Sequence, residues 1–322
     1  MTILLDEQCI KSLVTMDDAL EAVEEVFREQ GRGQVINVPR VRAPVKGGIL
    51  RITAGVLSYR GFYGVKISST AVFGRDAGRM FCLYREASGE LAAIVQVFAM
   101  GAMRTGAASG IATKYLANEE AAVLGVLGSG RQARTQVEAV CKVRTIREVR
   151  VYSPNAAHRD SFCVDMKKYN KNNYLSSRSA EEAVRGADIV ISATTSEQPV
   201  VLGRWLKPGA HINAIGANYE HRRELDRDAV LAAKFICADD IEQVRYESTD
   251  LADPVKAGLL SWDRVRGLCE VVSGLVQGRA ATDDITIFKS LGVAIEDVAL
   301  AVCAYEKAVA RNLGVALPNL AG

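Results

Sequence analysis

From Ala122 to Val140 the chain reads AVLGVLGSGRQARTQVEAV, and the run Gly128-Ser129-Gly130-Arg131-Gln132-Ala133 is a G-x-G-x-x-A pattern. It follows an apolar run and opens a helix. Gly128 allows a tight turn, Gly130 lets a pyrophosphate approach the backbone, and Ala133 keeps helix and strand close. The free N–H groups and positive dipole end of the helix then receive a diphosphate. A glycine turn alone is a weak signal, but here strand, turn, helix and following strand are all present. Dinucleotide binding is therefore expected, with Gly128, Gly130, Arg131, Gln132 and Ala133 at the phosphates.

The next strand ends at Tyr152-Ser153-Pro154-Asn155. NAD enzymes usually carry an acid here for the ribose 2′-hydroxyl, and this chain has none. Ser153 and Asn155 can hydrogen-bond a 2′-phosphate and Arg159 can neutralise it, so NADP(H) is expected over NAD(H). The plainer alternative is that Arg159 is a solvated helix residue. Elsewhere Lys66, in GVKISST, and Arg104, before a small-residue stretch, stand out only weakly, because most such cations are surface groups.

Elements of two kinds must position these groups. The apolar runs AVLGVL, EVRVYS, ADIVISATT, HINAIG, KFICA and DITIFKS alternate with helical segments, the pattern of a doubly wound parallel sheet. Ahead of them, Thr15 to Arg28 has helical apolar spacing behind a Thr15-x-x-Asp18 capping signal. Short β-rich runs with glycine turns fill Val35 to Val97, and RTGAASGIATKYLA reads as a helix from Arg104 to Ala117. The expected fold is α/β: a Rossmann doubly wound parallel sheet plus a β-rich α+β domain for substrate binding and dimerisation. The boundaries expected are 1–118 for the latter and 119–292 for the former, with a C-terminal helical segment, 293–322, packing back on the first domain.

At 322 residues, 49% hydrophobic and 24% charged, the chain has the composition of a globular protein of about two domains. Its 40 basic and 38 acidic residues give a net charge of +2, which points to small-molecule partners rather than nucleic acid or a membrane. The cysteines at 9, 82, 141, 163, 237, 269 and 303 form no CxxC pair, so neither a disulfide framework nor a metal site is expected. With no basic-then-apolar leader and no uncharged run of about 20 residues, a cytoplasmic location is expected.

Taken in order, RTGAASGIATKYLA, GVLGSGRQA, ADIVISATTS, HINAIGAN, ELDRDAV and TIFKSLGVAIEDVALA resemble the ornithine cyclodeaminase and mu-crystallin family over nearly the whole chain. The resemblance implies a homodimer built on the first domain and NAD(P) chemistry on amino or imino acids. By that resemblance Lys66 lies beside the substrate and Arg104 near its carboxylate and the nicotinamide, while Arg42 in VPRVRAPV holds the carboxylate through its planar fork. Gln132, Thr194, the backbone from Asn213 to Ile215, Arg222 and Ser290 fall on nucleotide-contact positions.

Three departures narrow the substrate. Asn218 stands where the cyclodeaminases have an aspartate acting on the amine, and an amide is no general base. Arg51 replaces a glutamate that faces a cationic substrate, and an arginine there repels a second ammonium. Gln96 stands where the dehydrogenase and mu-crystallin branches are expected to carry an acid. The implied activity is NAD(P)H-dependent reduction of a neutral or anionic 2-imino acid, with Lys66 and Arg104 catalytic and Arg42, Arg51, Lys66, Arg104 and Asn218 at the substrate. A cyclic imine such as Δ1-pyrroline-2-carboxylate leads, and a second carboxylate on the substrate would explain Arg51. An alanine dehydrogenase type of reaction, ornithine cyclodeamination and a non-enzymatic crystallin-like role are the alternatives.

Overall fold

The computed structural model describes residues 2–46, 48–70, 79–219 and 221–318; the last four residues of the expected C-terminal segment, 319–322, lie outside them. Contacts divide the chain into two compact units, Met1–Arg104 with Gly292–Gly322, and Thr105–Leu291.

Unit 1 opens with β1 (Ile3–Leu5), α1 (Glu7–Leu13) and α2 (Met16–Gly31). The capping signal is real, since Thr15 and Asp18 make a reciprocal capping box. Strands β2 (Val35–Val45), β3 (Gly48–Leu57), β4 (Phe62–Thr70), β5 (Met80–Arg85) and β6 (Leu91–Gln96) follow as an antiparallel series. Pro39 and Pro44 fall in β2, which is an edge strand, where a missing N–H costs no ladder bond. The helix α3 (Phe98–Leu116) starts earlier than its small-residue stretch. Its first turn is held from far away in sequence, because the Glu7 carboxylate accepts the N–H groups of Phe98 and Ala99 at 2.5 and 2.9 Å.

The first half of unit 2 alternates strand and helix: β7 (Val123–Leu127), α4 (Arg131–Val143), β8 (Glu148–Tyr152), α5 (Ala156–Met166), β9 (Asn173–Ser176), α6 (Ala180–Val184) and β10 (Ile189–Ser192). Then come β11 (His211–Ala214), α7 (Arg227–Ala232), β12 (Phe235–Ala238), α8 (Ile241–Glu247) and α9 (Thr249–Lys256). The unit closes with β13 (Val265–Gly267), α10 (Leu268–Val272) and β14 (Thr286–Lys289). These eight strands form one parallel sheet in the order β13-β12-β14-β11-β10-β7-β8-β9. Alternation along each strand feeds two cores: Ile189 and Ile191 enter one, Val190 the other. Strand order reverses about β7 and β10, and the crevice at the carboxyl ends of such strands is where open α/β sheets bind ligands.

The chain then returns to unit 1 as α11 (Ala294–Ala310) and β15 (Val315–Ala316), and β15 pairs with β1. Helix α11 is buried along most of its length and packs against α2, β3 and β4. Its contact with β3 is close because Gly55 carries no side chain: a Cβ there would lie 3.0 Å from Ile295 Cγ2.

Candidate active site

In unit 1 the strand register assembles most of the expected substrate residues. Arg42, Arg51 and Ser68 lie directly opposite one another across β2, β3 and β4, and the adjacent row is Thr53, Lys66 and Phe81. Cross-strand partners and residues two apart share a face, so all six side chains leave the same side of the sheet. A bulge between Val38 and Val41 adds Arg40 beside this edge, and its guanidinium donates to the carbonyl of Gly292 at 2.6 Å. The hydroxyl of Thr53, a residue 4% exposed, has no hydrogen-bond partner among the described residues.

Two acids from α11 complete the cluster. Glu296 and Asp297 are fully buried in the first turn of the helix, where the dipole favours negative charge. Arg104, itself buried, donates from Nε to Asp297 Oδ1 at 3.1 Å and from Nη1 to Glu296 Oε2 at 2.8 Å. Lys66 Nζ donates to the other oxygen, Asp297 Oδ2. Gly292, at φ 75°, leaves room for this arrangement: a Cβ there would come within 2.3 Å of Arg104 Nη1.

The electrostatics follow from burial and these contacts. Desolvation pushes the Lys66 ammonium down to about 8, with Arg104 and Arg40 pushing the same way and Asp297 opposing. For Asp297, burial would raise its carboxyl, but the Arg104 and Lys66 cations outweigh it and hold it below the ordinary carboxylate range. Burial likewise opposes the charge of Arg104, and the two carboxylates more than restore it. The result is a lysine with a weakened hold on its proton, fixed in direction by a carboxylate that stays ionised.

In unit 2 the expected nucleotide residues gather at the carboxyl edge of the sheet. Gly128, at φ 104°, follows β7, and a Cβ there would strike Ala193 O at 2.4 Å. At Gly130 a Cβ would meet no protein atom within 4 Å. The first glycine is thus demanded by the fold, while the second keeps space open beside the N-terminus of α4. Gln132 Oε1 is buried without a hydrogen-bond partner among the described residues, a vacant acceptor at the same helix end. The open space at Gly130 and the N–H groups of the first turn, Arg131, Gln132 and Ala133, fit a dinucleotide phosphate, whereas the Gln132 acceptor can receive only a donor such as a cofactor hydroxyl.

At the end of β8, Ser153 is buried, accepts a hydrogen bond from Ser129 Oγ at 3.0 Å and donates to Asn155 O at 3.3 Å. Asn155 caps α5 through its side-chain oxygen. Arg159 donates to Ser153 O at 2.6 Å and lies 5.7 Å from the Tyr152 ring. Thr194 donates to Glu224, Asn213 donates to Thr113, and Ser290 donates to Asp239. Ile215 is buried with its N–H on Ser192 O, and Arg222 lies over the Tyr219 ring. Asn218 follows β11 in unit 2, whereas Arg42, Arg51, Lys66 and Arg104 belong to unit 1. Gln96 pairs with Met80, opposite Ile67, and so leaves the face away from Lys66.

Sequence reasoning missed Asp297, Glu296, Arg40, Thr53 and Glu224. A signal existed for the first two: adjacent acids inside the apolar run GVAIEDVALA have no solvated face to occupy and must be paired. Nothing local marks Thr53 or Glu224.

A doubly wound parallel sheet whose glycine turn is open to a diphosphate, carried on one chain with a buried lysine–carboxylate–arginine cluster, defines an NAD(P)-dependent oxidoreductase. A family model described as the ornithine cyclodeaminase/mu-crystallin family matches residues 1–312, and the chain belongs to that family. It is 36% identical over 322 residues to the alanine dehydrogenase of Archaeoglobus fulgidus, covering 97% of each. Rat ketimine reductase mu-crystallin (Rattus norvegicus) is 35% identical over 224 residues, 70% of this chain and 67% of that protein. The structure of Thermococcus litoralis Δ1-pyrroline-2-carboxylate reductase in complex with NADH and L-proline superposes with a TM-score of 0.93 at 35% identity, covering 98% of this chain and 100% of that one.

The two glycines separate folding from cofactor binding. Gly130→Ala should leave thermal stability unchanged while weakening NADH binding about tenfold or more, because the added methyl meets only the ligand's space. Gly128→Ala should lose stability as well, since it is strained at positive φ and strikes Ala193. Melting curves alongside NADH fluorescence titrations check both.

Proposed function

We propose that the protein is an NAD(P)H-dependent reductase of a 2-imino acid, forming the L-amino acid from a cyclic imine of the Δ1-pyrroline-2-carboxylate or Δ1-piperideine-2-carboxylate type. The observation that carries this reading is the partly depressed, buried Lys66 held by Asp297 on the same sheet face as Arg42 and Arg51. When bound, the nicotinamide supplies the hydride for the imine carbon. Lys66 places its ammonium proton at the imine nitrogen, where negative charge develops. Arg42 and Arg51, opposite each other across β2 and β3, hold the carboxylate through their planar forks. Arg104 spends Nε and Nη1 on the acids, so its main task is to hold Asp297. Asn218 and Arg51 speak against a diamine substrate. The bound NADH and proline named in the Thermococcus litoralis structure agree with the cyclic-imine reading.

Reduction should be assayed with preformed cyclic imines against pyruvate plus ammonia. Faster turnover of the cyclic imine supports the proposal; faster turnover of pyruvate with ammonia transfers it to the amino-acid dehydrogenase reading. Ornithine incubated with NAD should yield no proline.

For the imine, kcat/KM should fall as pH rises through about 8, where Lys66 loses its proton. Asp297 opposes that depression, so Asp297→Asn should move the alkaline limb to lower pH. Lys66→Met should lower kcat and abolish the limb with NADPH binding intact. Arg42→Ala should mainly raise KM, by about 2–5 kcal/mol for one partner of a desolvated charge pair.

We further propose that NADPH is preferred over NADH, on the absence of an acid after β8 and the cation Arg159 anchored there. Arg159→Ala should weaken NADPH binding several-fold and leave NADH binding nearly unchanged; equal losses for both would remove the preference.

The face of the unit 1 sheet opposite Lys66 exposes Ile36, Val41, Ile67 and Met80, between 48% and 59% accessible. We propose that a second copy of the chain covers it, giving a homodimer that acts in the cytoplasm on small molecules. Ile67→Glu should shift the mass measured by light scattering from dimer to monomer.

A further inference from the structure

Glu224 lies in the ELDRDAV segment, outside the residues so far given a role, and it is fully buried. Among the described residues it makes no ion pair. Its carboxylate is instead surrounded by donors from two loops. Oε1 accepts from the N–H of Thr194 at 2.6 Å and from its hydroxyl at 2.8 Å, while Oε2 accepts from the N–H groups of Gly216 at 2.5 Å and Ala217 at 3.2 Å. These loops follow β10 and β11, where the chain leaves the sheet and its N–H groups lose their strand partners. A carboxylate can satisfy all four donors because it is acceptor-only with two oxygens; an amide cannot.

The carboxylate is itself rigidly placed. Asp250 Oδ1 accepts from the backbone N–H groups of Glu224 and Leu225, at 2.9 and 3.2 Å, and Asp250 Oδ2 pairs with Lys289 Nζ at 2.9 Å, both side chains fully buried. The carbonyl of Glu224 accepts from Val200 and Val201. Lys289 ends β14 and precedes Ser290. At Gly216 a Cβ would fall 2.1 Å from Thr194 O and 2.5 Å from Glu224 Oε1, so the loops close this tightly only over a glycine.

We infer that Glu224 is a positioning residue that latches the loops after β10 and β11 together before the cofactor arrives, setting the places of Thr194 and Ile215 for the dinucleotide. The latch acts in the protein without ligand, so binding has less loop ordering left to offset. This goes beyond the substrate reading above and stands on cofactor binding alone.

Hydrogen–deuterium exchange on the cofactor-free protein tests it directly. In the wild type, amides 194, 216 and 217 should exchange as slowly as sheet amides. Glu224→Gln presents a donor to one pair of those groups; it should release protection in both loops, leave β12 protected, and raise the NADH Kd about tenfold or more by fluorescence titration. Thr194→Val removes one donor of the four and should give a smaller change in the same direction. The inference is overturned by wild-type amides that exchange as fast as exposed loops, by a Glu224→Gln protein with unchanged protection and Kd, or by loss of protection throughout unit 2 including β12. Should Glu224→Gln fail to fold, wild-type exchange and the Thr194→Val titration decide the matter.

Discussion

Everything chemical in unit 1 depends on one buried carboxylate. Asp297 accepts from Lys66 with one oxygen and from Arg104 with the other, and without it two cations would face each other in a desolvated place. Breaking such a pair by removing one partner typically costs about 3–5 kcal/mol, whereas the intact pair contributes little net stability because both ions are stripped of water. The cluster is therefore better understood as a device for direction than for stability. It fixes where the lysine proton points, and its second acid, Glu296, brings the local charge of these four groups to balance.

That requirement explains features of the chain that have no chemistry of their own. Helix α11 must deliver two acids into the interior, so its middle is apolar, with Glu306 and Lys307 confined to its last turns, and its N-terminus faces the cluster. Gly292 must precede it at positive φ without a side chain, because Arg104 occupies the space. Gly55 must be bare for Ile295 to approach the sheet. In unit 2 a second buried acid, Glu224, is held mainly by backbone donors in place of cations.

The fold was legible where periodicity is strong. Alternating apolar strands and helices gave the parallel sheet, the turn Gly128-Ser129-Gly130 gave the cofactor end, and Thr15 with Asp18 gave the start of α2. The start of α3 was not legible, because the acceptor for its first N–H groups is Glu7, about ninety residues earlier in sequence. The site was legible in part. Arg42, Arg51, Lys66 and Arg104 could be singled out only through resemblance, since a lysine in a strand carries no local mark of burial. The apolar run around Glu296 and Asp297 marks them as paired, but it does not name the partners, since acids at the start of a helix are ordinarily explained by the dipole. The second partner of Asp297, Lys66, comes from a strand more than two hundred residues away, and only the register of β3 and β4 with the packing of α11 brings the two together.

Charge gives the strongest argument about which substrates suit this face. Arg40, Arg42, Arg51, Lys66 and Arg104 are cationic, and Glu296 and Asp297 are both occupied by Arg104 and Lys66. On the β2–β3 side, Arg42 and Arg51 stand opposite each other in one row. An α-carboxylate is attracted to that row, and a substrate bearing a second carboxylate would be attracted more strongly. A diamine would have to bring an ammonium toward the same arginines, at a cost that a half-buried setting with weakened screening makes severe. Lys66 is depressed first by desolvation and then by Arg104 and Arg40, so it is burial and these two cations that prepare the proton donor. Replacing Arg51 with an acid would change the charge that the substrate meets, while burial, Asp297, Arg104 and Arg40 would still set Lys66, so substrate choice and acid strength rest on separate residues.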